Sequence, residues 1–263
     1  MRPHILFIHG MWSGPWVFSR WKLRFEQAGY GCTAITLPGH AQSDPDSALS
    51  GLGIADYTEA AAAEAAHFER LVLIGHSMGG LIAQQVAMRI PLSALVLVSS
   101  AAPGQIFPLR PVMLPGLVRH FARPNLWRRS FRLSFWEARY LVLNRIPKSE
   151  QATMYERFTA ESGRIAYQLG FGRLNWAGSN RVEPKAIQCP VLALAGAKDR
   201  IIPAGVSRRL AALYESNADY MELARHGHWM LEEPGADDRA GEVLDWLGRA
   251  VERPKRAAAP AAP

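Results

Sequence analysis

The chain has 263 residues, 49% hydrophobic and 20% charged, which excludes a disordered chain and suits one globular domain with a sizeable core. No apolar run approaches a bilayer span, and the opening "MRPHILFIHG" is too short in its apolar part, with no small-residue cleavage site after it, for a secretion signal; a cytoplasmic protein without a transmembrane segment is expected. The net charge of +7 is uneven: residues 103–185 hold 14 Lys+Arg against 5 Asp+Glu, and the remainder 16 against 18.

In chain order, "HILFIH" (His4 to His9) and "CTAITL" (Cys32 to Leu37) predict the first two strands, and "DYTEAAAAEAAHF", from Asp56, is rich in helix formers. "RLVLIG" (Arg70 to Gly75) predicts a third strand, with "GGLIAQQVAMRI" behind it as a helix, and "ALVLVSS" (Ala94 to Ser100) a fourth. Residues 103–185 then interrupt the alternation. Their aromatics, among them Phe107, Phe121, Trp127, Trp136, Tyr167 and Trp176, have helical rather than strand spacing and predict a helical lid inserted between two strands. Such aromatics are first of all lid core, and the pattern singles out no individual substrate contact.

Strands resume at "PVLALAG" (Pro190 to Gly196) and "YMELA" (Tyr220 to Ala224), and "GADDRAGEVLDWLGRAVE" closes the fold as a helix. The core thus divides into 1–102 and 186–252, and the Pro/Ala-rich, basic 253–263 predicts a disordered tail. Strand runs mostly unbroken by polar residues belong to strands buried on both faces, so the expected architecture is a parallel sheet in a three-layer α/β sandwich.

Cys32 and Cys189, far apart and each beside a strand-like run, read as small core residues rather than a disulfide. With no cysteine framework and no second ligand cluster near His226 and His228, neither a metal nor a cofactor is expected. The basic surplus of 103–185 suits an anionic substrate, an acidic protein or a membrane surface, and more plainly a solvated basic face; no nucleic-acid partner is expected.

Ligands of open parallel sheets bind beyond the carboxyl ends of the strands. There, Gly75-His76-Ser77-Met78-Gly79 forms a GxSxG on a predicted strand-to-helix turn, which exposes the Ser77 hydroxyl at the head of a helix and turns the next N–H, that of Met78, toward a developing oxyanion. Gly75, Gly79 and Gly80 report crowding that a Cβ would block. A serine hydroxyl needs a base, and the base an orienting group. Asp199 after "PVLALAG", then His226 or His228 after "YMELA", stand in the order serine, acid, histidine. Asp199 has the alternative of a surface pairing with Lys198 or Arg200, and spacing alone does not decide between the histidines. "HGMWSG" offers the Met11 N–H as a second oxyanion donor, with His9, like His76, as a loop support.

Taken together, "HGMWSGPW", "LPGHAQSD", "GHSMGG", "CPVLALAGAKDRIIP" and "HGHWMLEEPG", in this order and across nearly the whole chain outside the inserted segment and tail, resemble the α/β-hydrolase superfamily. The resemblance implies an eight-stranded, mostly parallel sheet, a triad of Ser77, Asp199 and His228, and an oxyanion hole from Met11 and Met78. It selects His228 because the family histidine lies in the Gly-His-Trp-like part of the last block. It implies a serine hydrolase, with a carboxylic ester first and thioesterase, lactonase or carbon–carbon bond hydrolase as alternatives on the same triad. A non-hydrolytic binding or receptor protein is the alternative from another class. Serine at position 77 disfavours haloalkane dehalogenases and epoxide hydrolases, where aspartate is expected. The aromatic inserted segment favours an apolar acyl or aryl group, and its basic balance an anionic one or an acidic carrier protein.

Overall fold

The computed structural model describes residues 2–171 and 178–252; Trp176 and the predicted tail lie outside the described residues. Six strands, β1 (His4–Ile8), β2 (Cys32–Ala34), β3 (Leu71–His76), β4 (Ala94–Val98), β7 (Val191–Gly196) and β8 (Ala218–Leu223), form one sheet in the order β2-β1-β3-β4-β7-β8, every pair parallel. Two-residue strands β5 (Ser130–Phe131) and β6 (Glu161–Ser162) pair separately and antiparallel. The expected eight-stranded sheet is therefore a six-stranded one among the described residues. Each of the six apolar runs supplies one strand; the larger count came from the resemblance, and no other described segment joins the sheet.

The inner strands are apolar because both faces are covered: all residues of β3 and β4 are buried. Fully removing a Leu, Ile or Val side chain from water contributes about 1.5–3 kcal/mol, so these short runs hold the sheet together despite their length. β8 lies at an edge and is mostly half-buried or exposed, with Leu223 its one buried residue, as its mixed sequence suits. β2 is shorter than "CTAITL" suggests. Ile35 N still donates to Phe7 O at 3.1 Å, but Leu37 N turns to the His9 imidazole at 3.3 Å as the chain leaves the sheet.

Helices α1 (Ser19–Gln27), α2 (Ile54–Ala65), α3 (Met78–Ala87), α8 (Ala204–Ala212) and α9 (Ala236–Glu252) cover the sheet, with α1 packed on α9 and α2 on α3. Between β4 and β7 the chain forms α4 (Leu114–Phe121), α5 (Phe135–Leu141), α6 (Gln151–Glu156) and α7 (Gly163–Gly170). The segment is joined to the core by buried and half-buried polar contacts. Tyr57 Oη donates to Glu161 Oε1 at 3.0 Å, His40 faces Glu161 Oε2 at 3.3 Å, Ile54 N donates to Gln168 Oε1 at 2.9 Å, and Thr159 N donates to Trp12 O at 3.0 Å. No helix among the described residues is long and apolar enough to cross a membrane.

Register places the site. Ile8 lies opposite Gly75 and His76 opposite Val98, so β1, β3 and β4 end side by side. Beyond those ends α3 runs so close to β1 that a Cβ on Gly79 would collide with the carbonyl oxygens of Ile8 and His9. Alanine is the better helix former by about 1 kcal/mol, but forced overlap with backbone outweighs that preference. Gly79→Ala is expected to lower stability by about 2–4 kcal/mol in urea unfolding. An unchanged midpoint would show that the close approach is not needed.

Candidate active site

Ser77 is the junction of β3 and α3, with φ 53° and ψ −121°, a backbone conformation that costs a residue with a Cβ about 1–3 kcal/mol. Three hydrogen bonds hold it there: Ser77 N donates to Val98 O at 3.0 Å, and Ser77 O accepts from Gly80 N at 2.9 Å and Ala101 N at 2.8 Å. The glycines around it have no room for a side chain. A Cβ on Gly75 would strike the backbone of Gly79 and Gly80, one on Gly80 would strike Ser100, and one on Gly10 would lie 2.8 Å from the Ser77 Cβ. Trp12 and Ser99, beyond the ends of β1 and β4, also have positive φ, 58° and 43°. Three of the five non-glycine residues with positive φ among the described residues thus lie beyond the carboxyl ends of β1, β3 and β4; the others are Asn125 and Glu215.

Asp199 follows β7 and His228 follows β8, neighbouring parallel strands, and both side chains are buried. His228 Nδ1 lies 2.8 Å from Asp199 Oδ2, while Asp199 Oδ1 accepts from the N–H groups of Ile201 and Ile202, each at 2.8 Å. The carboxylate is fixed at both oxygens. With Nδ1–H donating to it, Nε2 is the nitrogen free to take a proton. Among the described residues Asp199 pairs with neither sequence neighbour: its oxygens are taken by His228 and the Ile201 and Ile202 amides, and the Arg200 guanidinium lies over the Tyr140 ring at 4.6 Å.

The other histidines hold loops. His9 Nδ1 lies 2.9 Å from Gly10 O, and its Nε2 accepts from Leu37 N. His76 Nε2 lies 2.9 Å from His228 O, which ties the residue before Ser77 to the loop that bears His228. Burial, with neighbouring histidines adding to it, pushes both rings down to about 3, His9 beside His40 and His76 beside His228. His226 Nδ1 pairs with the buried Glu233 at 3.0 Å, and Glu233 also accepts from Gly227 N, at 2.9 Å to Oε2. In the sequence Glu233 is one of two adjacent glutamates in "HGHWMLEEPG" with no role assigned to it; the signal for it is that a Gly227 amide buried in a tight loop requires an acceptor.

Among the described residues, neither the Met11 nor the Met78 amide donates a hydrogen bond. Met78 N–H is at the first turn of α3, where amides lack helical partners and the helix dipole favours negative charge. Ser77 and Met11 line a cavity between the sheet edge and the inserted segment, with about 690 Å³ of empty space including its mouth. Its core wall includes Trp12, Ala101, Ile201 and Ile202; the inserted segment contributes Met113, Leu117, His120, Phe121, Phe131 and others. Among the described residues no arginine or lysine lines it. Those contacts were not named from the sequence, because cavity-lining and core-filling aromatics have the same helical spacing.

A parallel sheet with a strained serine turn beyond β3 and a buried Asp–His pair beyond β7 and β8 defines the class of α/β hydrolases. The chain belongs to the alpha/beta hydrolase family, whose model matches residues 5–241. It is 33% identical over 105 residues to the probable esterase PIR7A of Oryza sativa subsp. indica, covering 38% of this chain and 40% of that one. It is 28% identical over 171 residues to the putative carbamate hydrolase RutD of Klebsiella pneumoniae, covering 64% and 62%. The chain thus spans less than two thirds of either relative. A pyrethroid hydrolase from Sphingobium faniae superposes with a TM-score of 0.74 at 20% identity, over 95% of this chain and 99% of that one. The methylesterase MES16 from Arabidopsis gives 0.72 at 14%, over 94% and 100%. At such identities the likeness is one of fold.

The buried neutral histidines link stability to pH. His9 and His76 take protons only near pH 3 when folded but near 6.5 when exposed, so the unfolded chain gains protons first as pH falls. Their contribution is complete above about pH 6.5 and is lost progressively from there toward pH 3, by roughly 1.4 kcal/mol per ring at one unit below the unfolded value. NMR titration should show two histidine Cε1–H resonances that do not move between pH 8 and pH 5; movement of all of them with midpoints near 6.5 would contradict this.

Proposed function

We propose that the protein is a serine hydrolase that cleaves carboxylic esters with a large apolar acyl or aryl group, through Ser77, His228 and Asp199. The observation that carries this reading is a strained serine at the wall of an apolar cavity, with a buried His–Asp pair on the adjacent strand ends and two unbonded amides, Met11 and Met78, beside the turn. The relatives named as esterases support an ester; the one named as a putative carbamate hydrolase keeps carbamates within reach of the same chemistry. The apolar side chains that make up most of the described cavity wall favour an apolar substrate.

In this mechanism the Ser77 hydroxyl oxygen bonds to the acyl carbon while its proton moves to His228 Nε2. The carbonyl electron pair collects on oxygen, where the Met11 and Met78 N–H groups stabilise it. Collapse expels the alcohol, which takes the proton from His228, and leaves an acyl-serine. A water molecule then gives a proton to His228 and its oxygen to the acyl carbon, releasing the carboxylic acid and restoring Ser77. Asp199 keeps Nδ1 protonated and stabilises the imidazolium. No cofactor is required. A cytoplasmic location belongs to the same reading, and the free thiols of Cys32 and Cys189 suit a reducing compartment.

Short p-nitrophenyl esters test the reading. Ser77→Ala and His228→Ala are each expected to lower kcat by at least about 10³-fold with the fold intact by circular dichroism, and a fluorophosphonate should label the wild type but not Ser77→Ala. Equal turnover by wild type and Ser77→Ala would dismiss Ser77 as nucleophile and favour a binding protein on this fold.

A further inference from the structure

The exposed apolar surface is concentrated in one stretch of the inserted segment. Of the nine large hydrophobic side chains exposed among the described residues, seven fall within residues 107–136. They include Leu114, Val118, Trp127 and Trp136, at 53%, 56%, 45% and 57% exposure. Scattered single apolar residues are ordinary on a protein surface, whereas their concentration in one place marks a surface that meets a partner. The same thirty positions hold six arginines, from Arg110 to Arg132, and neither aspartate nor glutamate.

These side chains serve neither the core nor the cavity. On α4, Leu117, His120 and Phe121 line the cavity, while Leu114 and Val118, one turn apart, lie on the solvent side of the same helix with Arg119. α5 lies antiparallel beside α4, since Gly116 is set against Leu141 and Arg119 pairs with Glu137. It exposes Phe135, Trp136 and Arg139. The Trp127 ring lies 5.9 Å from that of Tyr167 on α7, which is also exposed. Of the six arginines, Arg119 and Arg132 are ion-paired, to Glu137 and Asp46. Arg123, Arg128 and Arg129 are exposed and enter no ion pair among the described residues.

We propose that the outer surface of residues 107–136 docks on a lipid bilayer that carries anionic headgroups. A bilayer matches both halves of the composition at different depths. Guanidinium groups stay among the lipid phosphates, while Trp127, Trp136, Leu114 and Val118 sink to the boundary of the acyl chains, where indole rings and aliphatic side chains leave water. An acidic protein would satisfy the arginines but set its carboxylates against the apolar side chains. A second copy of this chain would bring the same six arginines, with no acid among them, against these. Because the other side of α4 lines the cavity, docking sets that cavity one helix away from the bilayer. The surface determines where the protein sits and does not depend on the reaction at Ser77.

Sedimentation of the full chain with lipid vesicles tests the surface. Binding to phosphatidylglycerol vesicles is expected to be at least about tenfold tighter than to phosphatidylcholine vesicles, since each basic side chain at an anionic surface contributes about fivefold. Arg123→Gln, Arg128→Gln and Arg129→Gln together should lower the affinity for phosphatidylglycerol by about a hundredfold, and lysine at the same three positions should retain most of it. Leu114→Gln combined with Val118→Gln should lower it by about three- to tenfold, as should Trp127→Ala. Leu23→Gln, at an apolar side chain equally exposed on α1, should leave it unchanged. All these variants should keep wild-type circular dichroism and wild-type kcat/KM for a water-soluble p-nitrophenyl ester, and Ser77→Ala should bind vesicles as the wild type does. Failure to sediment with phosphatidylglycerol vesicles overturns the docking surface, as does binding that survives the triple arginine change or the paired loss of Leu114 and Val118. A dimer in sedimentation velocity that this paired change dissociates would make the face a contact between copies and overturn the proposal as well. Vesicle binding by protein that hydrolyses no ester would retain the surface and overturn the function proposed above; ester hydrolysis without vesicle binding would do the reverse.

Discussion

The constraint on which the rest of the structure depends is the reversal of the chain at Ser77. A serine with φ 53° is tolerable only where its surroundings leave no relaxed alternative. Those surroundings are mostly backbone. The carbonyls of Ile8 and His9 come within reach of Gly79, the Gly79–Gly80 peptide lies over Gly75, and Ser100 lies against Gly80. The first and last of these contacts tie α3 to the ends of β1 and β4, and the second closes α3 onto β3, so the parallel register of β1, β3 and β4 is what makes the turn possible. Because the register is set by burial of continuous apolar runs, the position of one hydroxyl is secured by the hydrophobic core rather than by its own hydrogen bonds.

The loops around that turn are ordered by polar groups whose charge states are themselves set by burial. His9 and His76 are too desolvated to be cations near neutral pH, and as neutral rings they can accept on one nitrogen and donate on the other. His9 uses both, spanning Leu37 N and Gly10 O. Two acid–histidine pairs then share one loop after β8. Asp199 orients the His228 ring, whereas Glu233 takes His226 together with the Gly227 amide and so orients the backbone between the two histidines. The same pair of residue types is set in different surroundings: the His228 ring is fixed through Nδ1 by a carboxylate from the neighbouring strand end, whereas His226 and Glu233 belong to the loop scaffold.

Much of the fold could be read from residue order because its strands are buried on both faces. Each of the six apolar runs became a strand, and Gly75-His76-Ser77-Met78-Gly79 became the turn expected of it. Edge elements were less legible: β2 is cut short by a hydrogen bond to His9, a partner 28 positions away, and α1 has only Trp21 and Phe25 buried along its length. Two-residue strands such as β5 and β6 have no periodicity to detect. Glu233 was legible as an acid but not as a buried one, since burial follows from what the rest of the chain wraps around it. Nor did the order of residues distinguish Leu117, which faces the cavity, from Val118, which faces solvent at 56% exposure.

The basic surplus of residues 103–185 shows why composition speaks to surface before site. Arg123, Arg128 and Arg129 are exposed, Arg132 is drawn to Asp46 and Arg119 to Glu137, and none reaches the cavity wall. A guanidinium on that wall would have to leave water without a fixed carboxylate, which a low-dielectric pocket penalises heavily. Arginine therefore accumulates on the outer face, where Leu114, Trp127 and Trp136 are exposed beside it, while Met113, Leu117 and Phe131 line the cavity. A dry interior also strengthens whatever polar contacts it retains, because there is little water to compete for them. Where apolar side chains make up nearly the whole wall, the few polar atoms on it carry most of the orientation that a bound molecule can receive.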